Sequence, residues 1–259
     1  MPTKPRVIGV IPARWASSRF PGKPLAVIRG KTMIQRVWEQ AGKARSLDRV
    51  WVATDDERIF QAVEEFGGQA ILTGEAHASG TDRVAEVAQG LECDVVVNLQ
   101  GDEPLMPPEN IDLVTRPFLE GKNLSMSTLM MPFGPEEDIF DPNIVKVVVD
   151  EGGRALYFSR APIPYDREAW VHLDRRCPTS SAGWYKHIGL YAYRRSFLLD
   201  ISRLPPSRLE TLEKLEQLRV LEAGHTIQVL ETHQRSLGVD SPADIARVER
   251  SLDAMNATG

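Results

Sequence analysis

The sequence predicts an α/β protein built on a Rossmann-like, mainly parallel sheet. Three observations carry this reading. Short β-branched runs alternate with helical periods through the first half of the chain, as in repeated βαβ units. The runs "RVIGVI" and "DVVVNL" are apolar almost throughout, which suits strands covered on both faces. Each helical period ends in a polar or glycine-containing stop.

In chain order, strands are expected at 6–11, 50–53, 70–72 and 94–99, and helices at 32–44, 56–66 and 81–91. From about residue 125 the pattern loosens. "MSTLMMP", "NIVKVVVD", "RALYFSRAPIP" and "HIGLYAYR" read as strands of a mixed sheet or of a small second lobe. Residues 166–186 carry little periodicity and several turn formers, so they read as an excursion over the surface. "SRLETLEKLEQLRVLEAGH" opens with Ser207 and Glu210 at capping-box spacing, has leucines at 209, 212, 215, 218 and 221, and stops at Gly224. One continuous helix is expected there.

Composition narrows the function. The 259 residues suit one large domain, or a core domain with a smaller addition. A net charge of -5 argues against a nucleic-acid partner, which needs a basic footprint. Apolar stretches such as Val95-Val96-Val97 are far shorter than the roughly 20 residues that cross a bilayer. "MPTKPRVIGV" lacks the features of a secretory leader, and Cys93 and Cys177 form no disulfide framework or zinc spacing. A cytoplasmic address is expected.

Two loops then stand out, because ligands of open α/β sheets bind beyond the carboxyl ends of the strands. The first is "IPARWASSRFPGKPL". It places Arg14, Arg19 and Lys23 among prolines at 12, 21 and 24 and small residues including Ala13 and Gly22. Cations and free backbone N–H groups on a stiff loop can hold a polyphosphate. It matches neither the P-loop nor the dinucleotide fingerprint, and a merely solvated loop is the competing reading. The second loop is "QGDEP", beginning at Gln100.

Asp102 and Asp240 each follow an apolar run, so both could project into one cleft. Two carboxylates at about 4 Å repel by roughly 4 kcal/mol at an effective dielectric near 20, a conflict that a divalent cation resolves. Asp240 could instead cap the following helix, but Ser241 and Pro242 already supply a cap and a first-turn proline. Asp102 could be a plain turn residue, and Glu103 is an alternative ligand. A site with acids and no Cys or His cluster suits Mg²⁺. In "HASGTDR", Ser79 and Gly80 begin a helix whose free N–H groups could bind an anion or a base edge, although capping alone would also explain them. Arg83 reads either as part of that site or as a surface residue. Arg160 and His187 lie beside strand-like segments from which they could meet an acidic sugar.

"IPARWASSRFPGKPL" resembles the signature loop of sugar nucleotidyltransferases. The similarity is greatest to the CMP-Kdo synthetase (3-deoxy-manno-octulosonate cytidylyltransferase) family. It continues in order through "VATDDERI", "SGTDR", "NLQGDEPLMPP", "VKVVVD", "ALYFSRAPIP", "HIGLYAYR", "LEKLEQLRVLEAG" and "GVDSPADIARV". It implies one three-layer, GT-A-like nucleotidyltransferase domain over 1–259, with a mainly parallel sheet and a smaller mixed lobe. Residues 1–124 would mainly bind nucleotide, 125–235 would mainly bind sugar and dimerise, and 236–259 would return to the core with a metal ligand.

The implied activity is transfer of a cytidylyl group from CTP to Kdo for lipopolysaccharide synthesis, by a homodimer. Ala13, Arg14, Lys23, Ser79, Gly80, Arg83 and Gln100 would bind the nucleotide. Arg160, His187, Glu216 and Gln217 would serve the sugar. Asp102 and Asp240 would hold Mg²⁺ and, with Arg14 and Lys23, form the catalytic set. Adjacent Glu216 and Gln217 point about 100° apart on a continuous helix, so both facing the sugar is a demanding expectation. The chain departs from the family pattern before "GVD", where a Pro-Gly pair is missing, and at Ser241, where Thr is usual. "YKHIGLYAYRR" is also similar to relatives that act on 8-amino-Kdo. The rival readings are a metal-dependent glycosyltransferase, whose DxD mark is here Asp102-Glu103-Pro104, and a nucleotide-sensing module without chemistry.

Overall fold

Alternation along the first strand sets the layering of the fold. The computed structural model describes residues 4–16, 20–77, 79–170 and 183–258; Ser17, Ser18, Arg19, His172 and Cys177 lie outside the described residues, with most of the 166–186 excursion. Strand β1 (Val7–Ala13) sends Val7 and Ile11 into one hydrophobic cluster and Ile8 and Val10 into another. A helical layer covers each face of the sheet.

The chain continues through a two-residue hairpin, β2 (Val27–Ile28) and β3 (Lys31–Thr32), into α1 (Met33–Ala41), then β4 (Arg49–Thr54), α2 (Glu57–Glu65) and β5 (Ala70–Leu72). Next come α3 (Gly80–Gly90), β6 (Val95–Asn98), α4 (Pro108–Leu119) and β7 (Met126–Pro132). The later half holds β8 (Lys146–Val149), β9 (Ala155–Ser159), α5 (Arg167–Trp170), β10 (Tyr185–Arg194) and α6 (Arg195–Ile201). Two short helices, α7 (Arg208–Glu213) and α8 (Gln217–Glu222), precede β11 (Gln228–Glu231) and α9 (Pro242–Thr258).

The sheet runs β11-β7-β10-β6-β1-β4-β5. β6, β1, β4 and β5 are mutually parallel, as the sequence predicts. β10 is antiparallel to both β6 and β7, and the β8–β9 hairpin branches from it. The later strands therefore extend the main sheet, with the hairpin as the small lobe. α1, α2 and α4 contribute Ile34, Val37, Ile59, Val63, Ile111 and Phe118 to one layer. α3, α6 and α8 contribute Val84, Ala88, Phe197, Leu198 and Leu218 to the other. Burying such side chains contributes about 1.5–3 kcal/mol each relative to exposure.

One expectation is corrected: the helix over 207–224 is broken. Its capping box forms as predicted, with Ser207 and Glu210 bonded reciprocally. However, α7 ends at Lys214, which takes the left-handed conformation (φ 55°, ψ 47°), and α8 starts after Glu216. The helical period of leucines is overridden by packing: Leu215 turns into the core, and the Glu213 carboxylate accepts from Ser159 Oγ at 2.6 Å and from the Arg160 N–H at 2.9 Å.

Candidate active site

β1 lies between parallel neighbours reached in opposite directions, so the chain reverses around it and leaves a crevice at the carboxyl ends of β1 and β6. Gly101 lets the two ends approach, since a Cβ there would stand 2.9 Å from the Pro12 carbonyl oxygen. Gly22 shapes the opening loop. It has φ +69°, and its N–H donates to the Trp15 carbonyl at 3.1 Å while the Trp15 ring occupies the space a side chain would need.

Two adjoining cavities open here and share Ser79, Gly80 and Gln100. The first, about 230 Å³, is lined by Ala13, Arg14, Lys23, His77, Arg83 and Asp102 among others. The second, about 260 Å³, is lined by Thr81, Asp82, Asn98, Tyr191, Tyr193, Lys214, Glu216 and Gln217 among others. The structure thus gathers every residue that the sequence suggests for the nucleotide, together with Glu216 and Gln217.

Each side chain is set by its element. Arg14, just beyond β1, is exposed. Lys23 Nζ donates to Asp102 Oδ2 at 2.8 Å and to the Val239 carbonyl at 3.0 Å. Ser79 caps α3 by accepting from the Asp82 N–H at 3.2 Å. Arg83 is buried rather than on the surface, donating to Asp55 Oδ2 at 2.6 Å and to Thr73 Oγ1. Gln100 donates to the Gly189 carbonyl at 3.0 Å, which the bulge in β10 leaves outside the regular ladder.

Asp102 and Asp240 come from distant stretches, yet the Val239 N–H donates to the Asp102 carbonyl at 2.9 Å. Pro242 opens α9, and the Asp244 carboxylate accepts from the N–H groups of Asp240 and Ser241 and from the Ser241 hydroxyl. Asp240 is exposed and its carboxylate has no cap to supply. Beside this pair stands Glu103, whose Oε2 is buried; the Ser236 hydroxyl is close to it, but the two do not meet in hydrogen-bond geometry. Burial first, and then the charges of Asp102 and Asp240, raise the Glu103 carboxyl to about 7. Among the described residues no three such side chains converge closely enough to hold a metal by themselves, so the fit to a divalent cation such as Mg²⁺ rests on the hard carboxylate oxygens of Asp102 and Asp240, with substrate oxygens and water to complete it.

At the other end, Glu216 Oε2 accepts from Thr81 Oγ1 at 2.7 Å, and Gln217 is buried with Nε2 unpartnered. Both line this cavity even though Glu216 keeps helical dihedrals (φ -57°, ψ -34°) into Gln217, so the break at Lys214 leaves the angle between them unchanged. Arg160 and His187 line neither cavity. The Arg160 guanidinium donates to the carbonyls of Glu213 at 2.7 Å and Pro142 at 2.8 Å. His187 as a whole is only half-buried, but its ring sits between Phe158 and Tyr191, with Nε2 at 2.9 Å from Thr128 Oγ1. Burial of that ring pushes it down to about 3, so it is neutral.

The sequence does not single out Thr81, Asn98, Tyr191, Tyr193 or Lys214. Thr81 had a signal, standing inside "SGTDR" next to two expected residues. Asn98 closes an apolar strand and Lys214 a helical period, and neither context marks a site.

The profile of the cytidylyltransferase family matches residues 8–227. The chain belongs to the cytidylyltransferase family. A 3-deoxy-manno-octulosonate cytidylyltransferase of Syntrophotalea carbinolica is 54% identical over 246 residues, covering 95% of this chain and 98% of its own. One of Solibacter usitatus is 50% identical over 254 residues, covering 98% and 96%. A solved structure of CMP:2-keto-3-deoxy-manno-octonic acid synthetase complexed with CTP superposes with TM-score 0.88 at 43% identity, covering 96% of this chain and 99% of that one. A Leptospira borgpetersenii cytidylyltransferase shares the fold at 15% identity, with TM-score 0.63 over 96% of this chain and 87% of that one. As a cytidylyltransferase fold, this chain has no helix among the described residues long and apolar enough to cross a membrane.

Proposed function

We propose that this cytidylyltransferase joins CTP to Kdo, giving CMP-Kdo and pyrophosphate. The observation that carries the reading is the paired cavity. One half presents Arg14 and Lys23 to a triphosphate with the Asp55-paired Arg83 in its wall, the other presents hydrogen-bonding groups to a polyol, and Ser79, Gly80 and Gln100 stand between them. The high identity to relatives named for this reaction supports the same substrates.

In the reaction, the anomeric C2 hydroxyl oxygen of the sugar bonds to the α-phosphorus of CTP, the bond from that phosphorus to the β-bridging oxygen breaks, and pyrophosphate leaves. The hydroxyl proton is released. No covalent enzyme intermediate is required, so the protein's part is positioning and charge stabilisation. Arg14 and Lys23 meet the phosphate oxygens as their charge shifts. Gln100 and the α3 N-terminus at Ser79 and Gly80 hold the nucleoside, while Glu216 and Gln217 hold the sugar. Asp102 and Asp240 would hold Mg²⁺, which when bound supplies positive charge to the phosphates and the sugar hydroxyl. We also propose a homodimer working in the cytoplasm.

A pyrophosphate-release screen of Kdo, 8-amino-Kdo and sialic acid against each of the four nucleoside triphosphates tests the reading. Release with CTP and Kdo is expected. Release only with another sugar acid would reassign the acceptor, and release with none would overturn the activity.

A further inference from the structure

Trp15 and Gly22 form the neck of the opening loop, and each is the chain neighbour of a cation that lines the first cavity, Arg14 and Lys23 respectively. The Gly22 N–H donates to the Trp15 carbonyl at 3.1 Å, and a Cβ at position 22 would stand 2.9 Å from Trp15 Cη2. The indole is half-buried, packed against the cluster that holds Ile11 and Ile34. Where this neck sits therefore decides where both cations sit.

A second element holds the neck from outside. Arg58, in the first turn of α2, places its guanidinium carbon 3.4 Å from the centre of the Trp15 ring. The guanidinium is fixed by a fork onto Asp56, with Nε at 2.9 Å from Oδ1 and Nη2 at 2.6 Å from Oδ2. Asp56 is fixed in turn, because its Oδ1 caps α2 by accepting from the Arg58 N–H at 3.0 Å. The preceding residue, Asp55, holds Arg83 in the wall of the same cavity at 2.6 Å. Two consecutive carboxylates after β4 thus tether two parts of one cavity, and β4 is the parallel neighbour of β1, so their loops leave the sheet at the same end. Arg58 lines neither cavity, and with its side chain 55% exposed it adds little to the stability of the fold.

Resting on the reading of this cavity as the triphosphate end, we propose that Arg58 is a positioning residue for CTP. It clamps Trp15 so that Arg14 and Lys23 stand in place before the nucleotide arrives, and it does not touch the nucleotide itself. A ligand that requires one position of the neck binds with an apparent affinity reduced by the fraction of molecules that hold it there. The clamp keeps that fraction high. Once bound, the nucleotide holds the loop by its own contacts, so the clamp acts on KM for CTP and not on kcat.

The test uses Arg58→Ala, Arg58→Lys, Trp15→Leu and the double variant Arg58→Ala with Trp15→Leu, all in the full chain. CTP binding is followed by titration calorimetry and turnover by pyrophosphate release. In Arg58→Ala, Kd and KM for CTP should rise about three- to fivefold, the scale of one lost cation–π contact. Its kcat, its KM for Kdo and its melting temperature should stay near wild type. A contact that only stabilised the fold would lower the melting temperature and leave Kd alone. Arg58→Lys keeps a cation over the indole without the fork, so it should recover part of the affinity. Trp15→Leu removes the other partner, and adding Arg58→Ala to it should cost nothing more, since the two act through one contact. An unchanged Kd for CTP in Arg58→Ala, or a loss of equal size with and without Trp15, would overturn the proposal. Failure of the wild type to bind CTP would instead overturn the reading of the cavity on which it rests.

Discussion

Lys23 Nζ stands 2.8 Å from Asp102 Oδ2 and 3.0 Å from the Val239 carbonyl, so one ammonium joins the opening loop, the loop after β6 and the segment entering α9. The lysine side chain is only 17% exposed, against 35% for its partner, which places this contact on the cavity wall rather than in bulk solvent. Lys23 aligns Asp102 in the resting protein, and in the proposed reaction it would also meet phosphate charge. Lys23→Met should lower kcat by about 10²-fold or more, the scale for losing one charge-stabilising donor. Stability should fall far less, by about 1 kcal/mol. Stopped-flow pyrophosphate release together with urea denaturation separates the two, and a variant that turned over normally would remove Lys23 from the chemistry.

Asp240 follows from the same junction. Its carboxylate is exposed and the neighbouring Asp244 does the capping, so the fold asks little of it. Asp240→Asn should leave the circular dichroism spectrum and melting temperature near wild type while turnover falls by orders of magnitude. Chelation by EDTA should silence the wild type, and added Mg²⁺ should restore it. Near-normal turnover of Asp240→Asn at saturating Mg²⁺ would exclude this residue as a ligand.

Glu103 gives a pH signature in the absence of divalent cation. Its carboxyl is raised to about 7, first by burial and then by Asp102 and Asp240, from an ordinary value of 4.5. Between those values the native protein holds a proton that the unfolded chain has already released. Stability contributed by this group is full below 4.5 and is lost as pH rises through 7. In EDTA, the melting temperature of the wild type should decline from pH 5 to pH 8 relative to Glu103→Gln, which cannot titrate. Parallel profiles for the two proteins would show that the carboxyl is not held in this way.

Much of this arrangement can be read from the sequence, for reasons specific to each stretch. The strand expected at 50–53 lies within β4 (Arg49–Thr54), and that at 94–99 contains β6 (Val95–Asn98), because buried parallel strands are apolar on both faces and leave no ambiguity of period. The residues proposed for the nucleotide cluster in three stretches, the loops directly after β1 and β6 and the start of α3, so local reading finds them. The sugar side is harder. Thr81, Asn98, Tyr193 and Lys214 reach one cavity from α3, β6, β10 and the α7–α8 break, and only tertiary packing brings those together. α4 escapes a periodic reading because Pro107, Pro108 and Pro117 interrupt its pattern, even though Pro108 sits in the first turn, where its missing N–H costs nothing.

Lys146 supplies the last prediction. It is fully buried on β8, and its ammonium donates to the carbonyls of Asp141 at 2.8 Å, Ile144 at 2.7 Å and Arg160 at 2.7 Å. Burial lowers its proton affinity, but three acceptors at these distances keep the charge solvated by backbone. The residue thus clamps the 141–144 loop to the end of β9, next to the Glu213 and Arg160 contacts that help fix the α7–α8 break. Methionine fills a similar volume and donates nothing, so Lys146→Met would leave three carbonyls without their shared donor. A loss of about 1–3 kcal/mol is expected, the scale for leaving a buried acceptor unpaired. Because the clamp lies behind the sugar side, any folded fraction should show a raised KM for the sugar and an unchanged KM for CTP. Urea midpoints within error of wild type would mean that the three carbonyls find other partners and that the clamp is dispensable.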